Sequence, residues 1–104
     1  MAKKTPIDFV KVGPFVIHVN YKEMGENVYG QYQSVPPLIT IKPGLDELQT
    51  ATTIFHEALH AIENTYSVRL TEQTIRILET SITQLLQDNP ALTEKLARKS
   101  GGNI

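Results

Sequence analysis

The chain of 104 residues contains no cysteine. This absence excludes disulfides, thiolate catalysis and any zinc site with cysteine ligands, and it is consistent with a reducing compartment. Charged residues are also scarce, at 20% of the chain with a net charge of −1. The chain therefore lacks the positive charge that marks a nucleic-acid-binding domain, and we expect no nucleic-acid partner.

Long hydrophobic runs are lacking as well. The first residues, Met-Ala-Lys-Lys-Thr-Pro-Ile-Asp, carry positive charge with no apolar run behind them. We therefore expect no signal peptide, no membrane span and a cytoplasmic location. A chain of this length predicts one domain over residues 1–104, and its Gly-Gly end predicts a disordered tail over 98–104.

The first half of the chain has the pattern of short β-strands. Residues Phe15 to Tyr21 alternate between the two faces of a half-buried strand, and Val28 to Gln33 is a second candidate. Leu38 to Ile41 is a third, flanked by Pro36-Pro37 and Pro43-Gly44. Because proline cannot donate to a β-ladder, these flanks favour an edge position for the third strand.

From Asp46 onward the apolar period becomes helical. Asp46 and Gln49 resemble a capping box, and a helix to about Asn64 is predicted from the spacing of its apolar residues, Leu48, Ala51, Phe55, Ala58, Leu59 and Ile62.

A second helix is predicted after a connection over residues 65–69. It starts near Leu70-Thr71, with Thr71 as N-cap, and is stopped by Asp88-Asn89-Pro90. A weaker helical segment follows from Ala91 to Ala97. The predicted fold class is α+β, a small three-stranded, mostly antiparallel sheet packed on a helical hairpin.

The first helix contains the motif His-Glu-Ala-Leu-His at residues 56–60. His56 and His60 are four residues apart and leave the same side of the helix, so two imidazoles can bind one Zn²⁺. Glu57 lies roughly 100° around the helix from His56, beside such a metal. The motif therefore predicts a zinc site at which Glu57 is the general base toward a metal-activated water.

A catalytic zinc site of this kind needs a third protein ligand. Glu63 and Tyr66 occupy the positions where a longer motif would have glycine and a third histidine, and His18 is interpreted as a surface residue of its strand. A carboxylate of the second helix is therefore expected. Glu72 and Glu79 share one face of that helix, and folding the hairpin about residues 67–68 would set Glu79 opposite His56, so both remain candidates.

The stretch from Ile39 to Pro90 resembles small phage- and prophage-type zincin proteins. The residues that carry the resemblance include the helix at 53–62, Leu70-Thr71-Glu72 and the segment 86–90. It is distantly similar to ImmA/IrrE-type metallopeptidases and to minigluzincins. The resemblance implies a minimal zincin-like fold, and it favours Glu72 as the third ligand, because the zinc-binding glutamate of gluzincins lies early in the second helix after a short polar residue.

The resemblance also implies roles for two other segments. An edge strand ahead of the motif helix holds the substrate peptide in zincins, and Leu38 to Ile41 would take that part. Tyr66 would either stabilise an oxyanion or, as we expect, pack under the connecting loop.

Two functions follow from these patterns. The first is a zinc metallopeptidase acting on a peptide or protein substrate. The alternative is a catalytically silent zinc-binding protein with a regulatory or interaction role of phage type, favoured by the few residues beyond the second helix. The sequence does not predict an oligomeric state.

Overall fold

The computed structural model describes residues 6–98, which form a four-stranded mixed β-sheet followed by three helices. The strands and helices in chain order are β1 Phe9–Val12, β2 Phe15–Tyr21, β3 Gly30–Gln33, β4 Leu38–Ile41, α1 Glu47–Tyr66, α2 Glu72–Asp88 and α3 Pro90–Ala97. The predicted α+β class and the predicted helical hairpin are confirmed.

The sheet has the strand order β1-β2-β4-β3. Strands β1 and β2 form an antiparallel hairpin, β2 pairs with β4 in parallel, and β4 pairs with β3 antiparallel. The parallel pair sets His18 beside Leu38, and the antiparallel pair sets Gly30 beside Ile41. The two edges of the sheet are therefore β1 and β3.

Two sequence predictions about the sheet are wrong. The sheet has four strands rather than three, because β1 has only four residues and is too short to show a clear alternation. Its pairing is mostly antiparallel, as predicted, and only β2 and β4 pair in parallel. The edge assignment of Leu38–Ile41 fails because Pro36, Pro37 and Pro43 all lie outside the strand, so every residue of β4 keeps an N–H for the ladder.

One face of the sheet packs against α1 and forms the hydrophobic core. Ile17, Ile39 and Ile41 are almost fully buried there, together with Ile54 and Ala61 of the helix. In β2 and in β4 the two buried positions are separated by one residue, which is the period of two expected for a half-buried strand.

The opposite face of the sheet is left exposed by the described residues. It presents Phe9, Val16 and His18. The prediction that His18 is a surface residue is confirmed.

Local capping sets the helix boundaries. Asp46 is the N-cap of α1, where its carboxylate accepts from the Gln49 N–H at 2.7 Å, and the helix ends where Ser67 adopts a left-handed conformation. Thr71 caps α2 through the Thr74 N–H at 3.0 Å. Both predicted N-caps are confirmed, and α1 runs two residues further than predicted.

Residues 99–104 of the predicted tail lie outside the described part of the chain. Within residues 6–98, no helix combines the length and the hydrophobicity needed to cross a membrane.

The position of β4 gives a stability prediction. Ile39 is 0% exposed in this interior strand, whereas Val16 on the open face is 48% exposed. We expect Ile39→Ala to lower the free energy of unfolding by about 2–5 kcal/mol, through lost burial and a residual cavity, measured by urea denaturation. Val16→Ala is the control, expected to change it by less than about 0.5 kcal/mol. Similar losses for both variants would contradict the assignment of the core face.

Candidate metal centre

Helix α1 brings the two histidines of the motif together. His56 and His60 are one turn apart, and their ring centroids are separated by 5.3 Å. Both side chains are partly exposed at the floor of an open cleft of about 680 Å³. The rings therefore point into the cleft and away from the hydrophobic core.

Glu72, in the first turn of α2, completes the group. Its carboxylate oxygens lie 3.5 Å from His56 Nε2 and 3.2 Å from His60 Nε2. The three donor groups lie within 4.8 Å of one another and could hold a metal ion. Because the Thr71 cap fixes where α2 begins, it also fixes where this carboxylate enters the cleft.

Glu79 lies close to His56 but on the other side of the ring. Its Oε1 is 2.8 Å from His56 Nδ1. The prediction from helix register that Glu79 lies opposite His56 is thus confirmed. The oxygen reaches the nitrogen that faces away from Glu72, so Glu79 orients a ligand of the group instead of joining it.

Glu63 holds His60 in the same manner. One oxygen lies 2.9 Å from His60 Nδ1, and the other accepts the Leu70 N–H at 2.7 Å. This N–H is the main cause that lowers the pKa of Glu63, and His60 lowers it further. Sequence reasoning used Glu63 only to exclude a longer motif. Its spacing of three residues from His60 on one helix was the signal that could have identified it.

Carboxylate oxygens lie close to both ring nitrogens of each histidine. Glu79 and Glu63 contact the Nδ1 atoms, and Glu72 contacts both Nε2 atoms at 3.2–3.5 Å. The two Nε2 atoms and a Glu72 oxygen are therefore the atoms that could hold a divalent cation, while the Nδ1 contacts orient the rings.

The donor set fits zinc. Two imidazole nitrogens and one carboxylate oxygen are ligands that Zn²⁺ accepts, and three protein ligands leave a position open, as in catalytic sites. Structural zinc sites instead close the coordination with a fourth protein ligand. Glu63 and Glu79 supply the outer carboxylates that usually accompany zinc-binding histidines.

Glu57 lies beside this group and is the one charged residue buried in the described chain, at 7% exposure. Burial is the largest cause that raises its pKa; the Glu72 and Glu79 carboxylates raise it further, and His56 and His60 oppose the rise. A carboxylate in this position is a stronger base than an exposed one.

The edge strand β3 approaches Glu57 closely because Gly30 has no side chain. A Cβ at Gly30 would stand 2.7 Å from Thr53 Cγ2 and 3.0 Å from Glu57 Oε2. The backbone of β3 therefore forms one wall of the cleft, and Gly30, Gln31 and Tyr32 line it opposite the histidines.

Tyr66 lies outside the cleft. Its ring is exposed at the end of α1, and its hydroxyl lies beside the β1–β2 turn, 3.1 Å from where a Cβ on Gly13 would stand. Tyr66 therefore packs near this turn, and its position outside the cleft does not support an oxyanion role. Tyr32 does line the cleft, and its hydroxyl accepts from Asn64 Nδ2 at 3.3 Å.

Comparison of the chain with protein-family models, with curated proteins and with solved structures finds no match.

Because Glu72 and Glu79 contact different ring nitrogens, we expect their replacement by alanine to affect zinc binding differently. Glu72→Ala, like His56→Ala and His60→Ala, removes a ligand and should abolish stoichiometric zinc at micromolar protein. Glu79→Ala should keep zinc and weaken its affinity by about 10–100-fold, because only an orienting contact is lost. Zinc content by mass spectrometry and competition with a chromophoric chelator measure both.

Glu94→Ala on α3 is the matched control and should bind zinc as the wild type does. The assignment of the third ligand would be overturned if Glu79→Ala lost zinc while Glu72→Ala retained it.

The close approach at Gly30 gives a second prediction. Gly30→Ala should lower the free energy of unfolding by about 1–3 kcal/mol, because the new methyl group overlaps Thr53 and Glu57. Adding Thr53→Ser removes the nearer overlap, keeps the hydroxyl that bonds to the Gln49 carbonyl, and should recover part of the loss. Thermal denaturation compares the variants. Unchanged stability of Gly30→Ala would show that β3 is not held against α1.

Proposed function

We propose that this chain is a zinc-dependent metallopeptidase with a minimal gluzincin-like site. The observation that carries the proposal is the convergence of His56 Nε2, His60 Nε2 and the Glu72 carboxylate, with buried Glu57 beside them. The resemblance of the motif segment to small zincin proteins supports the same conclusion.

The proposed chemistry divides between the ion and Glu57. Bound zinc supplies a Lewis acid that acidifies a water molecule and polarises a peptide carbonyl. Glu57 removes the proton from the attacking water and transfers it to the nitrogen of the leaving amine, so one carboxylate serves as base and then as acid. Its raised pKa brings its proton affinity closer to that required for both transfers at neutral pH.

The peptide substrate is proposed to bind along β3 rather than along β4. Strand β4 is paired on both sides, whereas β3 has one free edge and lines the cleft through Gly30, Gln31 and Tyr32. An extended peptide that adds to this edge forms backbone hydrogen bonds that do not depend on its sequence. The absence of a side chain at Gly30 lets the peptide backbone pass close to Glu57.

A silent zinc-binding protein with a regulatory or interaction role is the second candidate. The observation that favours it is the openness of the cleft: α3 is the only described element after α2, and it does not line the cleft. Such a protein would use zinc to hold α2 against α1, and Glu57 would have no catalytic task.

Replacement of Glu57 by glutamine separates the two functions. Glu57→Gln should retain zinc and lower the rate of peptide cleavage by about 10²–10⁴-fold, because the general base is lost. Cleavage is measured with a mixed fluorogenic peptide library, and the wild-type activity should vanish on chelation and return with zinc.

Stability gives an independent control for this variant. Since burial raises the pKa of Glu57, ionising it at neutral pH costs the metal-free protein stability, and Glu57→Gln should unfold at an equal or higher temperature. Glu94→Gln should cleave at the wild-type rate. Zinc-loaded wild type that cleaves no peptide would reject the peptidase and leave the silent zinc-binding protein.

A further inference from the structure

A second cavity, of about 300 Å³, lies at the far end of the cleft. Its walls are mainly apolar and come from β2, β3, the segment that leads into β4 and the end of α1. The apolar and aromatic residues of the lining are Phe15, Ile17, Tyr32, Val35 and Pro37, and the polar ones are Ser34, Asn64 and Thr65. Val35 is 85% exposed at its rim, and Phe15 is about half exposed. Covering the apolar side chains of a concave surface with another apolar group is favourable, because it removes apolar surface from water.

The cavity and the metal cleft share one wall. Tyr32 and Asn64 line both, and the amide of Asn64 donates to the Tyr32 hydroxyl at 3.3 Å. This contact ties β3 to the end of α1 and marks the border between a polar cleft and an apolar cavity. A ligand in the cleft that continues past Tyr32 therefore enters the cavity.

Strand β3 runs from the metal cleft to the apolar cavity. Gly30 lies beside Glu57, and Tyr32 and Ser34 follow along the same edge toward the cavity. At about 3.3 Å per residue, the two to four positions beyond Gly30 span roughly 7–13 Å. A peptide side chain two to four residues from the scissile bond would reach the cavity.

The direction of the peptide follows from strand pairing. Antiparallel pairing is the more stable arrangement per residue, so a peptide on β3 would run from the Gln33 end toward the Gly30 end. Residues N-terminal to the scissile bond then lie toward the apolar cavity. Residues on the C-terminal side meet a polar region lined by Asn27, Arg76 and Glu79.

From this arrangement we propose that the cavity is a specificity subsite for an apolar side chain located two to four residues N-terminal to the scissile bond. The inference rests on the proposed peptidase function, because it takes the scissile bond to lie at Glu57. It adds a substrate class: peptides with an aliphatic or aromatic residue at that distance, and no apolar requirement beyond the bond.

A position-scanned peptide library tests the subsite. Zinc-loaded wild type should prefer leucine or phenylalanine over serine by about tenfold in kcat/KM at one of these three positions, in line with burial of one apolar side chain. Val35→Glu places a charge at the rim of the cavity and should remove the preference. Because Val35 is exposed, this substitution should leave the fold and the zinc content unchanged.

Val16→Glu is the matched control. It makes the same chemical change at an exposed position on the opposite face of the sheet and should keep the preference. Cleavage without an apolar preference at these positions, or a preference that Val35→Glu leaves intact, would overturn the subsite while the peptidase function stands.

Binding distinguishes failure of the subsite from failure of the function. Zinc-loaded Glu57→Gln is titrated with two fluorescent peptides that differ only by leucine or serine at the scanned position. Tighter binding of the leucine peptide that Val35→Glu abolishes would support the cavity as the binding site of an apolar peptide side chain, even if wild type cleaves nothing and the peptidase function fails. Equal binding of both peptides would overturn the subsite whatever the activity.

Discussion

The Nε2 atoms of His56 and His60 and the Glu72 carboxylate face one another across the α1–α2 hairpin, and the geometry of the cleft depends on this contact. Ile75 is the one fully buried side chain of α2, and Leu78, Ile82 and Leu86 are half-buried beside it in the helix. Polar contacts of Glu72 and Glu79 with the histidines add to this apolar packing. A metal ion held by Glu72 and the histidines would therefore couple metal binding to the docking of α2 on α1.

The outer carboxylates make this polar contact specific. Glu79 reaches from α2 to a histidine of α1, while Glu63 joins the other histidine to the Leu70 N–H at the start of α2. Each histidine is thus oriented by a contact that also positions the second helix. Pairs of this kind contribute little net stability when partly exposed, but they restrict ring orientation and tautomer. Their main effect is on the geometry of the cleft.

The sequence correctly predicted the features that depend only on residues close together in the chain. Asp46 and Thr71 mark helix starts because an N-cap acts within three residues, and the histidine spacing needs only one helical turn. The central position of β4 depends on its pairing with β2 and β3, which the flanking prolines do not indicate. Strand β1 was not predicted because four residues are too few to show an alternation. The contact of Glu79 followed from helix register, but its choice of Nδ1 required the position of Glu72, which only the folded hairpin sets.

The placement of Glu57 shows how the fold raises the basicity of one carboxylate among several. Glu57, Glu63, Glu72 and Glu79 all gather around two imidazoles, and Glu57 alone is buried. The nearby carboxylates disfavour its ionised form, as does loss of water, so its pKa rises while that of Glu63 falls. Gly30 sustains this difference, because a bare backbone segment covers Glu57 without offering it a side-chain partner. The same absence of a side chain leaves room for a peptide on the free edge of β3, so the feature that shields the base also admits the proposed substrate.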